Sequence, residues 1–498
     1  MITPPNDNPL TTPGGRLVLV ITLLLIGIMA ARTPLDSDLW WHLRSGQVMV
    51  ETGRPLLHDV FSYTRDGAAW INHSWLSQVI LYGLHQLAGY TGLSLWVVGL
   101  SVLSMGLLFF QMGGPAGWRA LLLILAAAAS APVWSPRPQL TSLAVMALLG
   151  WLIQRWRAGN LRCLWVLPLM FCLWSNLHGG FSLGFLLLLA FFGGQVLDHI
   201  LGFNDEAMPW KDLGRIALWS GLAALAVMVN PNGLDMWKIP FQTVGVGSLQ
   251  KFIQEWASPD FHDPAQQPIL LLVILLLAGV GFSRKRMAGE DWLSASGFLL
   301  MALLARRNIA PFALVSIPII ARYGWQVIQE WLDNVRASER FKRLFRESVP
   351  GKPHPVINLL LAGLLGLVVF GKLGILSLPA VVESASAGIM PQAAVDWLKA
   401  HPGGRMLSEY GWGGYLDWNL PEEQVFIDGR TDLFGDEIIG EWLQVVQADN
   451  EMEAILDKWG VQRVMLQPNR PAVKALISLG WLEVYQDPNV IILERSTR

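Results

Sequence analysis

Charge is what this sequence has least of. Only 15% of its 498 residues are Asp, Glu, Lys or Arg, where a soluble globular chain carries about 25%. Several soluble domains in series are therefore excluded, and so is a disordered chain. Cysteine is nearly absent as well: Cys163 and Cys172 lie in one apolar run, without C-x-x-C spacing or a nearby His cluster. That excludes a disulfide scaffold and argues against metal or redox chemistry, so both read as buried free thiols. The net charge of −2 leaves no global electrostatic case for nucleic acid. No repeat of solenoid length, P-loop or dinucleotide fingerprint is present.

What the chain has in abundance is apolar sequence. Hydrophobic residues make up 53%, with 24 Trp among them, and the mean hydropathy is +0.41. Eleven apolar runs are candidate spans: 17–31, 91–110, 120–133, 139–153, 163–176, 179–197, 215–230, 268–282, 292–305, 309–322 and 356–378. Several fall short of the roughly 17–25 residues of a full crossing. The first resembles a signal peptide, but Arg16 is the lone basic residue before it, and it reads as an uncleaved signal anchor. The fold class is mostly α: a polytopic transmembrane helix bundle of about eleven spans over 1–379, with a small C-terminal α/β domain over 380–498.

The connections alternate in charge. One set holds Arg155, Arg157 and Arg162, then Lys211 and Arg215, then Arg284, Lys285 and Arg286, and last the basic 323–355 stretch. By the positive-inside rule these face the cytoplasm, which puts the N-terminus inside and the tail outside. The helical period of 323–355 fits a segment lying on the anionic inner leaflet.

The opposite connections are poor in bulk positive charge but hold isolated polar residues against span ends. They are the 32–90 loop, the stretch around Arg137, the break at His178, the 231–267 loop with Glu255, and Arg306-Arg307. Ionisable residues near membrane depth are costly and default to a functional reading. Five connections place them on one face.

In the first outer loop, Asp36 can cap a helix that stops at Gly53. Its apolar stripe of Leu39, Trp40, Leu43 and Val50 suits a helix lying along the membrane surface. A second such helix is predicted from Ser74 to Leu87. Asp36 and Asp38 could serve only as helix-terminal acids. Their company, His42 and His73, at the place where a lipid head group would meet an acceptor, favours a general base and leaves room for a divalent cation on the pair.

At these residues the chain resembles the GT-C superfamily of membrane glycosyltransferases, and more closely a bacterial GT-C-like group. The matching stretches run from Asp36-Ser37-Asp38-Leu39-Trp40-Trp41-His42-Leu43 through Asp59-Val60-Phe61-Ser62-Tyr63-Thr64 and Asn72-His73-Ser74-Trp75-Leu76. They continue with Arg137-Pro138-Gln139-Leu140, Asn176-Leu177-His178-Gly179-Gly180, Asn230-Pro231-Asn232-Gly233, Glu255-Trp256 and Arg306-Arg307-Asn308. They end at Tyr410-Gly411-Trp412-Gly413-Gly414-Tyr415 and Phe426-Ile427-Asp428-Gly429-Arg430-Thr431-Asp432-Leu433.

The resemblance implies an inverting glycosyltransferase of the bacterial inner membrane. It would move a sugar from a polyprenyl-phosphate donor to a glycan, lipid or protein acceptor on the outer face, with Asp36 or Asp38 as the base. Some members use a cation such as Mg²⁺ or Mn²⁺ at an Asp-x-Asp site and others do not, so the metal stays open; its ligands here would be Asp36 and Asp38.

A lipid-phosphate leaving group needs neutralising, and arginine grips phosphate with a fork of donors. Arg137, Arg306 and Arg307 are the candidates, beside the alternative that they snorkel. His42, His73, His178 and Glu255 complete the candidate substrate contacts, though His178 could equally be a satisfied buried histidine and Glu255 a surface acid.

In the tail, strand patterns occur at 405–408, 425–428, 463–467, 482–486 and 490–493, with helical ones at 390–400, 436–458 and 471–479. The turn at Asp428-Gly429-Arg430-Thr431-Asp432 suggests a carbohydrate or metal contact, or else a turn closed by its own Arg–Asp pair. The aromatic-glycine cluster 410–415 could stack on sugar rings or pack the domain. A transporter or flippase of lipid-linked glycans, or a non-catalytic envelope scaffold, are the competing readings. No paired halves with matching interruptions support the transporter.

Overall fold

The structure is a computed structural model and describes residues 12–202, 207–245, 247, 254–334 and 354–496. Each of the eleven apolar runs is helical. Among the described residues, six helices are long and apolar enough to cross a membrane: Pro13–Ala30, Trp75–Phe109, Ala116–Val133, Phe181–Leu201, Arg306–Asn334 and Pro355–Leu376. The other five runs form Gln139–Arg157, Val166–Leu177, Trp210–Ala226, Pro268–Phe282 and Gly289–Leu304. The 323–355 stretch begins as the end of the helix Ile309–Asn334; its remainder to 353 lies outside the described residues.

The chain divides into two compact units. The first comprises Met1–Arg32, Ser94–Asn230 and Glu255–Ile375. Here helices approach through small residues, as apolar side chains gain little from leaving lipid for protein. Phe181–Leu201 meets Gly289–Leu304 where a Cβ on Gly194 would collide with the Glu290 backbone. This close packing is reinforced by ions. Arg157 pairs with Glu290 at 2.5 Å and Asp291 at 3.1 Å, and Arg322 pairs with Asp291 at 2.5 Å. The Tyr323 hydroxyl also donates to Asp291, and Gln195 donates to Glu290. Arg157, assigned from sequence to a topology-setting loop, thus belongs to a buried network. Pro355–Leu376 is the least covered span: Leu359, Leu360, Leu367 and Phe370 are exposed, as lipid-facing side chains are. Cys163 is exposed and Cys172 half-buried, both free. The expectation of two buried thiols fails because Cys163 precedes its helix, which starts at Val166.

The second unit comprises Thr33–Leu93, Pro231–Gln254 and Leu376–Arg498. The first loop therefore groups with the tail, whereas the sequence suggested grouping it with the spans. The tail forms a four-stranded sheet of β1 (Met406–Ser408), β2 (Arg463–Leu466), β3 (Leu482–Gln486) and β4 (Ile491–Glu494), ordered β1-β2-β4-β3. β1 and β2 are parallel and the other pairs antiparallel. The strand expected at 425–428 shrinks to isolated bridges, Val425 to Met406 on one side and to Ser62 on the other. Val425 N–H donates to Phe61 O, and Tyr63 N–H donates to Val425 O. The first loop thus supplies the outermost strand-like segment of the tail's sheet.

The helix Leu39–Thr52 ends at Gly53, whose φ of +66° is the left-handed stop the sequence announced. It is not a surface helix. Leu39, Trp40, Trp41, Leu43 and Met49 are buried while Val50 is exposed, because the face expected to meet lipid packs on the tail helix Gly413–Asn419. The second predicted helix is present. Its end is a kink at Ala88 and Gly89, the latter at φ +56°, inside the longer helix Trp75–Phe109.

Candidate active site

In the second unit, Asp36 and Asp38 stand at the start of the first-loop helix in different roles. Asp38 occupies the cap position, with no capping hydrogen bond from its side chain. Asp36 lies before the helix, and its Oδ1 accepts the Asp38 N–H at 2.9 Å. The expected cap at Asp36 is corrected accordingly: Asp36 makes a local turn and Asp38 begins the helix. Asp38 Oδ1 lies against Gly429 of the tail. The Trp41 indole N–H, one turn on, is buried without a hydrogen-bond partner.

His42 is buried, its ring 3.6 Å from that of Trp41. Asn72 donates to Gln78 Oε1 at 2.8 Å, which turns the Gln78 amide nitrogen toward His42 Nδ1 at 3.4 Å. That leaves Nδ1 as the acceptor and Nε2 to hold the proton. His73 Nδ1 contacts the Ser74 hydroxyl at 2.8 Å.

The Arg–Asp pair that the sequence offers as a closed turn is present, and it extends to Asp59 of the first loop. Arg430 grips Asp428 through Nε and Nη2, and its Nη1 lies 2.7 Å from Asp59. Its guanidinium carbon sits 5.0 Å from the ring centres of both Phe61 and Trp70. Asp59 also accepts N–H bonds from Phe61 and Ser62 and the Ser62 hydroxyl. The Asp428 turn is therefore closed internally and buried, which rules out Asp428 as a surface sugar contact. Asp417, buried beside the cluster, has no hydrogen-bond partner among the described residues on either oxygen. Burial, then Asp428 and Asp59, push its carboxyl well above the usual range against the pull of Arg430 and Arg44. The Asp-x-Arg spacing signals the Asp428–Arg430 pair, but nothing local names Asp59 or Asp417 as the further members of the cluster. Of the aromatic-glycine cluster, Trp412 and Tyr415 are buried, and Tyr415 meets Trp40 edge-on at 5.2 Å. It packs.

The first unit brings together a second set. Arg137 lies 3.5 Å from Glu255, and the Arg307 guanidinium sits 4.4 Å over the Trp256 ring. Arg306 joins through its backbone, donating to Ala257 O at 3.0 Å. Burial would raise the Glu255 carboxyl, but Arg137, Arg307 and Arg306 outweigh it and hold the group below its usual range. Glu255 is thus the anionic pivot of a cationic cluster. His178 caps the helix Val166–Leu177; its Nδ1 accepts the Gly180 N–H at 3.0 Å and contacts the Ser142 hydroxyl at 2.8 Å. Trp174 donates to that same hydroxyl, and with Nδ1 accepting from Gly180, Ser142 donates its O–H to Nδ1 and the ring proton sits on Nε2.

Among the described residues no group of three or more His, Cys, Asp or Glu could hold a metal ion. Asp36 and Asp38 offer two carboxylates, so an Mg²⁺ or Mn²⁺ held there would draw its remaining ligands from water or substrate oxygens.

No family model matches the chain, and no curated protein sequence does. Solved structures do. The chain is similar to the oligosaccharyltransferase AglB from Archaeoglobus fulgidus, determined with an inhibitory peptide and a dolichol-phosphate. The TM-score is 0.61 at 13% identity, over 91% of this chain and 69% of that one. The chain has the GT-C fold. A second structure of the A. fulgidus oligosaccharyltransferase, tethered to an acceptor peptide with an NVT sequon, gives a TM-score of 0.55 at 14% identity over 93% and 69% of the two chains. ArnT from Cupriavidus metallidurans, bound to undecaprenyl phosphate, scores 0.47 at 14% identity over 97% and 98%. The GT-C fold and the six long apolar helices make this an integral membrane protein.

Proposed function

We propose that the protein is a glycosyltransferase that moves a sugar from a polyprenyl-phosphate-linked donor to an acceptor hydroxyl or amide on the outer face of the membrane. The observation that supports it most is the GT-C fold along 91% of the chain, shared with a transferase determined with a lipid phosphate. The carboxylate at the start of the first-loop helix supports it independently.

Asp38 is the general base: it begins the first-loop helix with its carboxylate against the Gly429 turn, while the Asp36 carboxylate accepts the Asp38 N–H in a local turn. As the acceptor heteroatom bonds to the anomeric carbon, Asp38 takes its proton. The bond from that carbon to the phosphate oxygen breaks, the electron pair leaving with the phosphate, and the anomeric centre inverts. Arg137, Arg306 and Arg307 bind the lipid phosphate, and charge-assisted forks of this kind favour the more negative leaving group. Glu255 keeps the arginines aligned.

The test is reconstitution of the purified full chain with a panel of polyprenyl-phosphate sugars and mass spectrometry of the products, alongside glycolipids and glycans from a deletion strain. Transfer abolished in Asp38→Asn supports the proposal. Movement of an intact lipid-linked glycan across the bilayer with no sugar transferred would replace it with a flippase.

A further inference from the structure

The Asp428-Gly429-Arg430 turn has no part in the chemistry above, yet it closes on the carboxylate that does. A Cβ on Gly429 would fall well inside contact distance of Asp38 Oδ1, 3.2 Å from Asp38 Cγ and 2.8 Å from Trp41 Nε1. Gly429 is not among the residues with positive φ, so its backbone would accept any L residue. What demands glycine there is the space occupied by the Asp38 carboxylate first and the Trp41 indole second.

The turn cannot easily yield. On either side of Gly429, Asp428 and Arg430 are buried and paired to each other, and Arg430 is paired again to Asp59. The helix that bears Asp38 is fastened to the same part of the tail. A Cβ on Gly414 would stand 3.0 Å from Trp41 Cδ1 and 3.2 Å from Trp41 N. The Asp38 carboxylate is thus fixed in its backbone by one tail element and walled on its side-chain face by another.

We infer that Gly429 is a positioning residue for Asp38, and that the C-terminal domain is a structural part of the reaction centre instead of an appended binding module. The inference rests on Asp38 being the base. A base must stand within about 3 Å of the proton it takes, and a misplacement of about 1 Å can cost roughly 10²-fold in rate. A wall on one side of the carboxylate removes rotamers that would carry it away.

The experiment compares Gly429→Ala, Asp38→Asn and, as a control, Gly440→Ala, where an added methyl meets nothing within 4 Å. All are made in the full-length protein and assayed for sugar transfer with whichever polyprenyl-phosphate sugar of the panel the parent turns over. Gly429→Ala is expected to lower kcat by at least about tenfold with donor KM nearly unchanged. It should also move the acid limb of the kcat/KM profile to higher pH, because the new methyl strips water from the carboxylate. A general loss of packing would not move that limb. Gly440→Ala should match the parent.

Should Gly429→Ala prove unstable, the double variant Asp38→Ala/Gly429→Ala decides. Removing the carboxylate removes the nearer collision and leaves only the 2.8 Å approach to Trp41 Nε1, so the double variant should recover most of the thermal midpoint that Gly429→Ala loses. An inactive Asp38→Asn beside a fully active Gly429→Ala, or no recovery in the double variant, overturns the positioning role and leaves the base assignment standing. Full activity in Asp38→Asn overturns the base assignment itself.

Discussion

Arg430 Nη1 lies 2.7 Å from Asp59 Oδ1, and both side chains are fully buried. The pair joins the first loop to the tail at a point where neither charge can reach water. Its partner Asp428 and the rings of Phe61 and Trp70 complete the enclosure. Replacing Arg430 leaves Asp59 and Asp428 charged and dry, which costs far more than the net gain of making the pairs. Arg430→Met should therefore destabilise the full-length protein by about 3–5 kcal/mol, read by thermal or denaturant unfolding in detergent. A loss below about 1 kcal/mol, the range of exposed pairs, would mean that water reaches the cluster.

Asp417 makes stability depend on pH. It faces Asp428, Asp59, Arg430 and Arg44, and its carboxyl is pushed well up, first by burial. The folded state therefore holds a proton that the unfolded chain, with a carboxyl near about 3.9, releases sooner. Its contribution is fully present below that value and is lost as pH rises through the folded value. Asn imitates the neutral acid, so the stability of Asp417→Asn relative to the parent should grow with pH. A gap that stays constant from pH 4 to 9 would show that Asp417 is ionised throughout.

Donor recognition should depend on the arginines around Glu255. A charge-assisted hydrogen bond contributes about 1.5–3 kcal/mol, so Arg307→Gln or Arg306→Gln should weaken a polyprenyl-phosphate analogue by roughly 10–100-fold. Binding to the purified protein measures this. Unchanged affinity in both single variants and the double would assign the pair to topology.

Asp36 and Asp38 should be unequal. Asn keeps the size and turn-forming ability of Asp, so both variants should fold. Asp38→Asn is expected to lose roughly 10²–10⁴-fold in transfer, and Asp36→Asn much less. Assays with and without chelator separate this from a shared cation: equal collapse restored by added metal would favour the ion.

Topology is open to a direct check. The alternation of basic connections predicts an N-terminus inside and a tail outside. A reporter that works only in the cytoplasm should stay silent when fused to the C-terminus, and activity there would reverse the assignment.

The helices were legible because long apolar runs admit few alternatives, and so were β1 to β4, where short alternating patterns sit between turn residues. The first-loop helix misled in one respect. Trp40, Trp41 and Leu43 look alike whether they meet lipid or protein, and only the tail, far along the chain, decides. The same distance hid the site's frame. The Tyr63 hydroxyl donates to Met406 O across 343 residues, and Asp59 finds Arg430 across a comparable span. Neither partner leaves a local period to read. Arg137, Glu255 and Arg307 were individually visible as costly charges, but the order among them, an acid held between cations, appears only in three dimensions.

The bridge from Ser62 to Val425 has a consequence for biogenesis. Residues 59–64 are among the first of this chain to be synthesised, and the strand and salt-bridge partners they require are among the last. Until residue 430 arrives, Asp59 has no cation and Phe61 and Tyr63 have no neighbours from the tail. Contacts of such long range close slowly and leave apolar surface exposed while they wait. A ribosome stalled before Val425 would therefore release not a shortened version of this fold but a set of inserted helices with an unfinished first loop, a natural target for membrane quality control.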